Sequence, residues 1–193
     1  TRADESRFFG ADKGCKCSSL RVPERTLACM GRKCIVCGLG LLAGLVILEL
    51  TVRYGVGLGD PPLYTPHPTI EYMLKPNGSY SRFGNAFRVN RYAMRSDDIT
   101  PRRVGHEVRV LVLGDSVPNG GSLTDQEALA SERVKRALSD RLNVPVRVGN
   151  ISAGTWSPPN LAAYVERFGT FDADVAFIVL NREDLHDVPR FAP

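Results

Sequence analysis

Cysteine is absent after residue 37, and all five cysteines of the 193-residue chain lie at or before that position. The long C-terminal part therefore has no disulfide and must depend on a hydrophobic core. Three motifs are also missing, namely G-x-x-x-x-G-K-[ST], G-x-G-x-x-G and G-x-S-x-G. Their absence argues against a P-loop, a dinucleotide-binding fold and the nucleophile elbow of the α/β-hydrolases.

A basic field is missing from most of the chain. The sequence has 25 Lys and Arg against 21 Asp and Glu, a net charge of +4. Residues 1–53 carry nine basic and five acidic side chains, so the remaining 16 of each sign cancel. A neutral C-terminal part argues against a nucleic-acid-binding domain and predicts no nucleic-acid partner. The 43% hydrophobic and 24% charged contents are those of a globular protein.

One long apolar run stands near the N-terminus. From Cys34 to Val52 it contains a single charged residue, Glu49. Nineteen helical residues span about 28 Å, close to the thickness of the hydrocarbon layer. The run predicts a transmembrane helix over residues 34–53. A buried core helix and a cleaved signal peptide are the alternatives, although the long preceding segment and the lack of an A-x-A site argue against the latter.

The charge split predicts the orientation of this helix. Eight of the nine N-terminal basic residues precede it. By the positive-inside rule, residues 1–33 stay in the cytoplasm and the chain from Tyr54 onward lies outside the inner or cell membrane. Residues 1–33 show no apolar periodicity and are expected to be a disordered tail.

The cysteines form no regular metal-binding pattern. They occupy positions 15, 17, 29, 34 and 37, and no histidine lies nearby. C-x-C and C-x-x-C spacings occur in zinc sites, but two of these cysteines fall within the apolar run. Reduced thiols are therefore favoured over a zinc site.

A connecting region at 54–107 is rich in Pro and Gly and is expected to form short strands. After it, strand and helix patterns alternate along the chain. Apolar runs predict strands, and periodic segments predict helices, the first of which begins at a Thr124–Glu127 capping box. The strands are Val108–Leu113, Val144–Ile151 and Val175–Leu180, and the helices are Thr124–Leu142 and Asn160–Phe168. This order predicts an α/β fold with a buried parallel sheet. The polar loops 114–121, 150–157 and 181–187 then share its carboxyl edge.

Ser116 is positioned as a nucleophile would be. It follows the first predicted strand directly and lies among glycines, whose backbone N–H groups can approach a ligand. The alternative is an ordinary Ser/Gly turn that leads into a helix.

The motifs around Ser116 resemble a known family. Val-Leu-Val-Leu-Gly-Asp115-Ser116-x-x-x-Gly120 resembles block I of the SGNH (GDSL-type) hydrolases, and Asn150-x-x-x-Gly154 resembles block II. The strand that ends at Asn181 falls where block III is found. Residues 60–95 resemble the lead-in of bacterial membrane-anchored members, so the resemblance covers about residues 58–188.

This resemblance implies a three-layer, flavodoxin-like α/β/α fold and hydrolysis or transfer of an acyl ester. Ser116 would be the nucleophile, Asp115 belongs to block I, and Gly154 and Asn181 would complete the oxyanion hole with the Ser116 N–H. The implied substrate is an acyl ester such as O-acetyl groups on a cell-envelope polysaccharide. The mechanism needs no metal and no organic cofactor.

The sequence departs from the family pattern in two places. Block III reads Asn181-Arg-Glu183-Asp184, so either Asn181 or Glu183 occupies the oxyanion position, and a carboxylate there would repel an oxyanion. The D-x-x-H block that supplies the base is missing, and we expect the chain to be a fragment truncated before it. His186 could act as the base, since it follows the third strand, whereas His106 precedes the first, but an ordinary loop histidine is the favoured interpretation of His186. The rival interpretation is a non-catalytic envelope module for binding or assembly.

Overall fold

The computed structural model describes residues 24–186, with the backbone alone for residues 24–32 and for Leu185. The chain divides into two compact units, Thr1–Val46 and Ile47–Pro193. Residues 1–23 and 187–193 lie outside the described part, and so do Cys15 and Cys17.

The apolar run forms a helix, α1, over Glu24–Leu50, which continues as one π-helical turn at Thr51–Gly55. The segment Lys33–Gly55 has a mean hydropathy of 2.4 and is long and apolar enough to cross a membrane. The predicted disordered tail is wrong for residues 24–33, which are helical. The reason is that helix-forming Glu, Arg, Leu, Ala and Met residues follow Pro23, so the helix begins ahead of the apolar run.

The connecting region was expected to form short strands, and it contains two antiparallel hairpins. Strands β1 (Tyr64–His67) and β2 (Glu71–Leu74) form the first hairpin, and β3 (Ser79–Arg82) and β4 (Asn85–Arg88) form the second. Their buried side chains belong to the same hydrophobic core as the sheet. This core includes Ile70, Leu74, Phe87 and Met94 from the connecting region and Leu111, Ile151, Trp156 and Tyr164 from the α/β part.

A three-stranded parallel sheet follows, which confirms the predicted α/β class. Its strands are β5 (Val108–Gly114), β6 (Val146–Ser152) and β7 (Val175–Val179), in the order β6-β5-β7. A short helix, α2 (Ser116–Asn119), comes directly after β5. Helix α3 (Ala130–Leu142) connects β5 to β6, and α4 (Pro158–Phe168) connects β6 to β7.

Strand β5 is buried on both faces because its side chains alternate between two apolar clusters. Leu111 and Leu113 belong to the large core described above. Val110 packs in a smaller cluster with Val148, and Leu138 of α3 packs against that cluster. The central strand therefore lies between apolar layers, as the continuous Val/Leu run predicts.

The predicted capping box at Thr124–Glu127 is wrong. Asp125 caps instead, because its carboxylate accepts a hydrogen bond of 3.0 Å from the Glu127 N–H and begins a 3-10 turn at Gln126–Ala128. The Glu127 carboxylate turns outward to Arg88 and Arg136. The chain thus makes a separate turn before α3 begins.

The third strand was expected to be buried, and this prediction is also wrong. Val175, Phe177 and Ile178 are 44%, 54% and 63% exposed. Strand β7 is the edge of the sheet and pairs on one side with β5, and no described helix buries its two faces.

Candidate functional site

The three parallel strands end together at one edge of the sheet. Gly114 of β5 is paired with Ser152 of β6 and with Val179 of β7. The residues that follow these strands therefore meet at the carboxyl edge. This edge brings together Asp115 and Ser116, the Gly154 loop, and Asn181, as the sequence predicts.

Ser116 is the first residue of α2, and its side chain is exposed at this edge. The preceding Asp115 is buried and caps the helix, with one carboxylate oxygen accepting a 2.9 Å bond from the Val117 N–H. The other oxygen, Oδ2, lies 3.3 Å from the Ser116 hydroxyl, which donates to it. Asp115 therefore orients the hydroxyl and stabilises the turn that presents it.

Gly114 permits the sharp turn from β5 into α2. A Cβ at this position would lie 2.6 Å from Cγ of Pro118 and 2.8 Å from the carbonyl oxygen of Val179. Both distances are shorter than van der Waals contact, and the second involves the backbone of the neighbouring strand. Only glycine allows α2 and β7 to approach here without displacement.

Asn181 joins the ends of β5 and β7. Its amide nitrogen donates to Asp115 Oδ2 at 2.7 Å and to Asp184 Oδ1 at 2.9 Å. Its oxygen accepts from the backbone N–H groups of Glu183 and Asp184. Asn181, rather than the exposed Glu183, thus adjoins the carboxylate that orients Ser116. Both of its amide hydrogens are engaged, so donation to an oxyanion requires one of these bonds to be exchanged.

Two tyrosines from the first hairpin support the Gly154 loop, and sequence reasoning missed them. The Tyr72 hydroxyl donates to the Gly154 carbonyl and lies 2.6 Å from the Thr155 hydroxyl. The Tyr64 ring packs edge-on against Tyr72 at 5.6 Å. Burial raises the pKa of Tyr64 and the neighbouring Tyr72 adds to the rise, while a hydrogen bond with the Gly154 backbone opposes it. No atom would contact a Cβ on Gly154, so the space beside its backbone is open.

Buried amides connect α2 to β6. The Asn119 side chain donates to the Ser152 carbonyl at 2.9 Å, and the Asn150 side chain donates to the Pro118 carbonyl at 2.8 Å. The Ser152 hydroxyl donates to Asn150 at 2.6 Å. Asn150 therefore has a positioning role at the end of β6 in this structure, and Asn119 shares it.

Arg95 was also missed, although it lies within the lead-in that resembles membrane-anchored family members. Its guanidinium is fully buried and donates to the carbonyls of Asn119, Gly121 and Thr124, the last two at 2.7 and 2.6 Å. It also stacks on the Phe87 ring, with 3.8 Å to the ring centre. Arg95 thereby fixes the loop that follows α2.

The histidines make no bond to Ser116 in the described part of the chain. The His186 ring is exposed and has no hydrogen-bond partner among those residues. His67 accepts backbone N–H bonds from Thr69 and Ile70 within the first hairpin. His106 precedes β5 and so lies toward the opposite edge of the sheet. The side chains that the structure describes also include no group of three or more His, Cys, Asp or Glu that could hold a metal ion.

A scan against protein-family models, a search of curated proteins and a search of solved structures each found no match. The functional interpretation therefore depends on the sequence motifs and on the geometry described above. That geometry combines an exposed serine hydroxyl, a buried carboxylate, a side-chain amide and an open glycine backbone at one sheet edge. Such groups suit nucleophilic attack on an acyl carbon and stabilisation of the resulting oxyanion.

Proposed function

We propose that this chain is an SGNH (GDSL-type) ester hydrolase or O-acyltransferase that forms an acyl-Ser116 intermediate. The observation that carries the proposal is the exposed Ser116 hydroxyl at the carboxyl edge, linked through Asp115 to Asn181. The Ser116 hydroxyl and the Asn181 amide share one carboxylate oxygen, so nucleophile and candidate oxyanion donor flank the same group. A plain Ser/Gly turn would not require a buried carboxylate that contacts both.

The proposed reaction has two steps. The Ser116 oxygen attacks the acyl carbon, its proton passes to a base, and the leaving alcohol takes up a proton as the ester bond breaks. Water or an acceptor hydroxyl then attacks acyl-Ser116 and releases the enzyme. The N–H groups of Ser116 and Gly154 and the Asn181 amide would stabilise the oxyanion in both steps. The D-x-x-H pair that would supply this base in the family has no counterpart among the 193 residues, in which His186 is the candidate base.

The same proposal includes a three-layer fold, a membrane anchor and a cytoplasmic N-terminus. Apolar clusters on alternate faces of β5 support a three-layer, flavodoxin-like arrangement. The apolar segment Lys33–Gly55 supports a single-pass anchor, and the basic residues before it support a cytoplasmic N-terminus. The substrate is then an acyl ester outside the cytoplasm, such as an O-acetylated cell-envelope polysaccharide.

A non-catalytic envelope module is the second candidate, and two observations favour it. Both Asn181 amide hydrogens are engaged by carboxylates. Within residues 24–186, the Ser116 hydroxyl donates to Asp115 and not to a histidine. An unactivated serine hydroxyl is a weak nucleophile, so such a site could bind a ligand without reacting.

Labelling with a fluorophosphonate probe tests the proposal. An enzyme should form a covalent adduct that disappears in Ser116→Ala and persists in Ser79→Ala, a matched control at an exposed serine of β3. Peptide mass spectrometry should place the adduct on Ser116. Absence of any adduct, or equal labelling of both variants, would support the non-catalytic module instead.

A further inference from the structure

A cavity of about 460 Å³ lies where the apolar segment Lys33–Gly55 ends. It belongs entirely to the second unit and is separate from the Ser116 edge. Its lining consists of Arg53, Tyr54, Gly57, Gly59, Asp60, Ser81 and Gly84. The cavity therefore combines the end of the apolar segment with the turn between β3 and β4.

The cavity is a built feature, since the segment after α1 is fixed to the second hairpin. The Gly57 carbonyl accepts a 2.8 Å hydrogen bond from the Phe83 N–H. The Ser81 N–H donates to Asp60 at 3.2 Å. A Cβ on Gly59 would lie 2.4 Å from Cγ of Arg53, so the Arg53 stem packs directly on the Gly59 backbone. These contacts hold both charged side chains at the cavity.

The two charged groups retain hydrogen-bonding capacity. Arg53 uses Nε and Nη2 to bind Glu49, at 3.0 and 2.6 Å. In the described part of the chain, its Nη1 contacts no protein acceptor, and Asp60 pairs with no Lys or Arg. The cavity thus presents the two N–H groups of Arg53 Nη1 and a carboxylate, that of Asp60, which accepts the Ser81 N–H but has no cationic partner among the described residues.

A ligand with one anionic and one cationic group matches this pair. A guanidinium favours phosphate oxygens, and a carboxylate favours a primary ammonium that can donate hydrogen bonds. Glu49 already neutralises part of the Arg53 charge, so a purely anionic ligand would be less favoured than a zwitterion. At the end of a membrane-spanning segment, groups of this chemistry belong to phospholipid headgroups.

We propose that this cavity binds the phosphoethanolamine headgroup of a membrane lipid, with the phosphate on Arg53 and the ammonium on Asp60. The inference rests on the proposed membrane anchor, and it is independent of chemistry at Ser116. Bound headgroups would fix the height of the second hairpin above the bilayer.

Lipid titration of the full chain, followed by native mass spectrometry, tests the site. The probes are phosphatidylethanolamine and phosphatidylcholine, whose quaternary ammonium cannot donate a hydrogen bond. The chain should prefer phosphatidylethanolamine about tenfold, as expected for one charge-assisted hydrogen bond. Asp60→Asn should remove this preference, and Arg53→Gln should weaken binding of both lipids about tenfold.

Arg91→Gln is the matched control, because Arg91 is also exposed and paired with one carboxylate, Asp98. It should bind both lipids as the unaltered chain does. Equal binding of the two lipids by the unaltered chain, or an Arg53→Gln variant that behaves like Arg91→Gln, would overturn the headgroup site. An alkaline wash of vesicles that carry the chain tests the anchor separately. If the wash removes the chain, both the anchor and the headgroup site are overturned. If the chain stays in the membrane but shows no lipid preference, only the headgroup site is overturned.

Discussion

Replacing Arg95 with Met should destabilise the second unit strongly. Arg95 is fully buried, and its guanidinium donates to three backbone carbonyls, that of Asn119 at the end of α2 and those of Gly121 and Thr124 in the loop after it. Met fills a similar volume and can still contact the Phe87 ring, but it donates no hydrogen bond. The substitution therefore isolates the loss of the guanidinium's hydrogen bonds from the loss of packing.

The expected loss is about 3 kcal/mol. A buried acceptor left without a donor costs about 1–3 kcal/mol. The Asn119 carbonyl is such an acceptor, whereas the Gly121 and Thr124 carbonyls are partly exposed and add less, because water can replace the guanidinium there. An opposing contribution reduces the total. Burial lowers the pKa of Arg95 to about 10, so the folded state bears a desolvation cost for this charge, and Met avoids that cost. At about 3 °C for each kcal/mol, the unfolding midpoint should fall by about 10 °C.

Thermal unfolding of the chain in detergent, followed by tryptophan fluorescence, measures this loss. Trp156 is the only tryptophan and is 1% exposed within the core, so its emission reports unfolding of the second unit. Arg91→Met is the control, because it removes an exposed arginine whose ion pair with Asp98 contributes little. Arg95→Lys should fall between the two. Equal midpoints for Arg95→Met and Arg91→Met would refute the anchoring role of Arg95.

Two further predictions concern the turn into α2 and the acid stability of the unit. Gly114→Ala should destabilise the unit by about 1–3 kcal/mol through overpacking, whereas Gly154→Ala should unfold like the unaltered chain, and equal midpoints in thermal melts would contradict this. Hydrogen bonds from the Ala86 and Glu127 N–H groups lower the pKa of Asp125, so the unfolded chain binds this proton more tightly. The resulting stability is complete above the ordinary carboxylate pKa of about 4 and is lost as pH falls through the lower folded value. Unfolding midpoints from pH 6 to pH 2 should therefore decline less in Asp125→Asn, and an equally steep decline would exclude the contribution.

Local sequence patterns predicted where the strands and helices lie, but not which of them other elements bury. The β-branched and leucine-rich run at β5 predicts a strand buried on both faces, and its side chains do alternate between two apolar clusters. The similar run at β7 lies at the sheet edge and is exposed, because burial depends on neighbouring elements that periodicity does not report. The capping prediction at Thr124 also failed because of a tertiary contact that the local pattern does not report. Arg95 donates to the Thr124 carbonyl, and Asp125 supplies the cap one residue later.

The candidate site divides in the same way. Ser116, Gly154 and Asn181 could be predicted because each follows a parallel strand, and parallel strands share one carboxyl edge. Tyr72 and Arg95 could not, because they come from the connecting region and reach the site only through tertiary contacts. A Pro- and Gly-rich segment with weak periodicity gives no sign of which side chains point inward.

Asn181 distinguishes the two proposed functions in physical terms. In catalysis, an oxyanion could replace Asp115 Oδ2 as the acceptor of one Asn181 N–H. Because both acceptors are anionic, the hydrogen bond that the Asn181 amide donates would be of similar strength before and after the exchange. Asp115 would keep the Val117 N–H but would lose a 2.7 Å partner while buried. Catalysis is therefore favoured only if a positive charge forms near the Asp115 carboxylate when Ser116 releases its proton. That charge would compensate for the lost Asn181 hydrogen bond. An imidazolium formed by a histidine base would supply that charge, whereas a binding module would keep the Asn181–Asp115 bond intact.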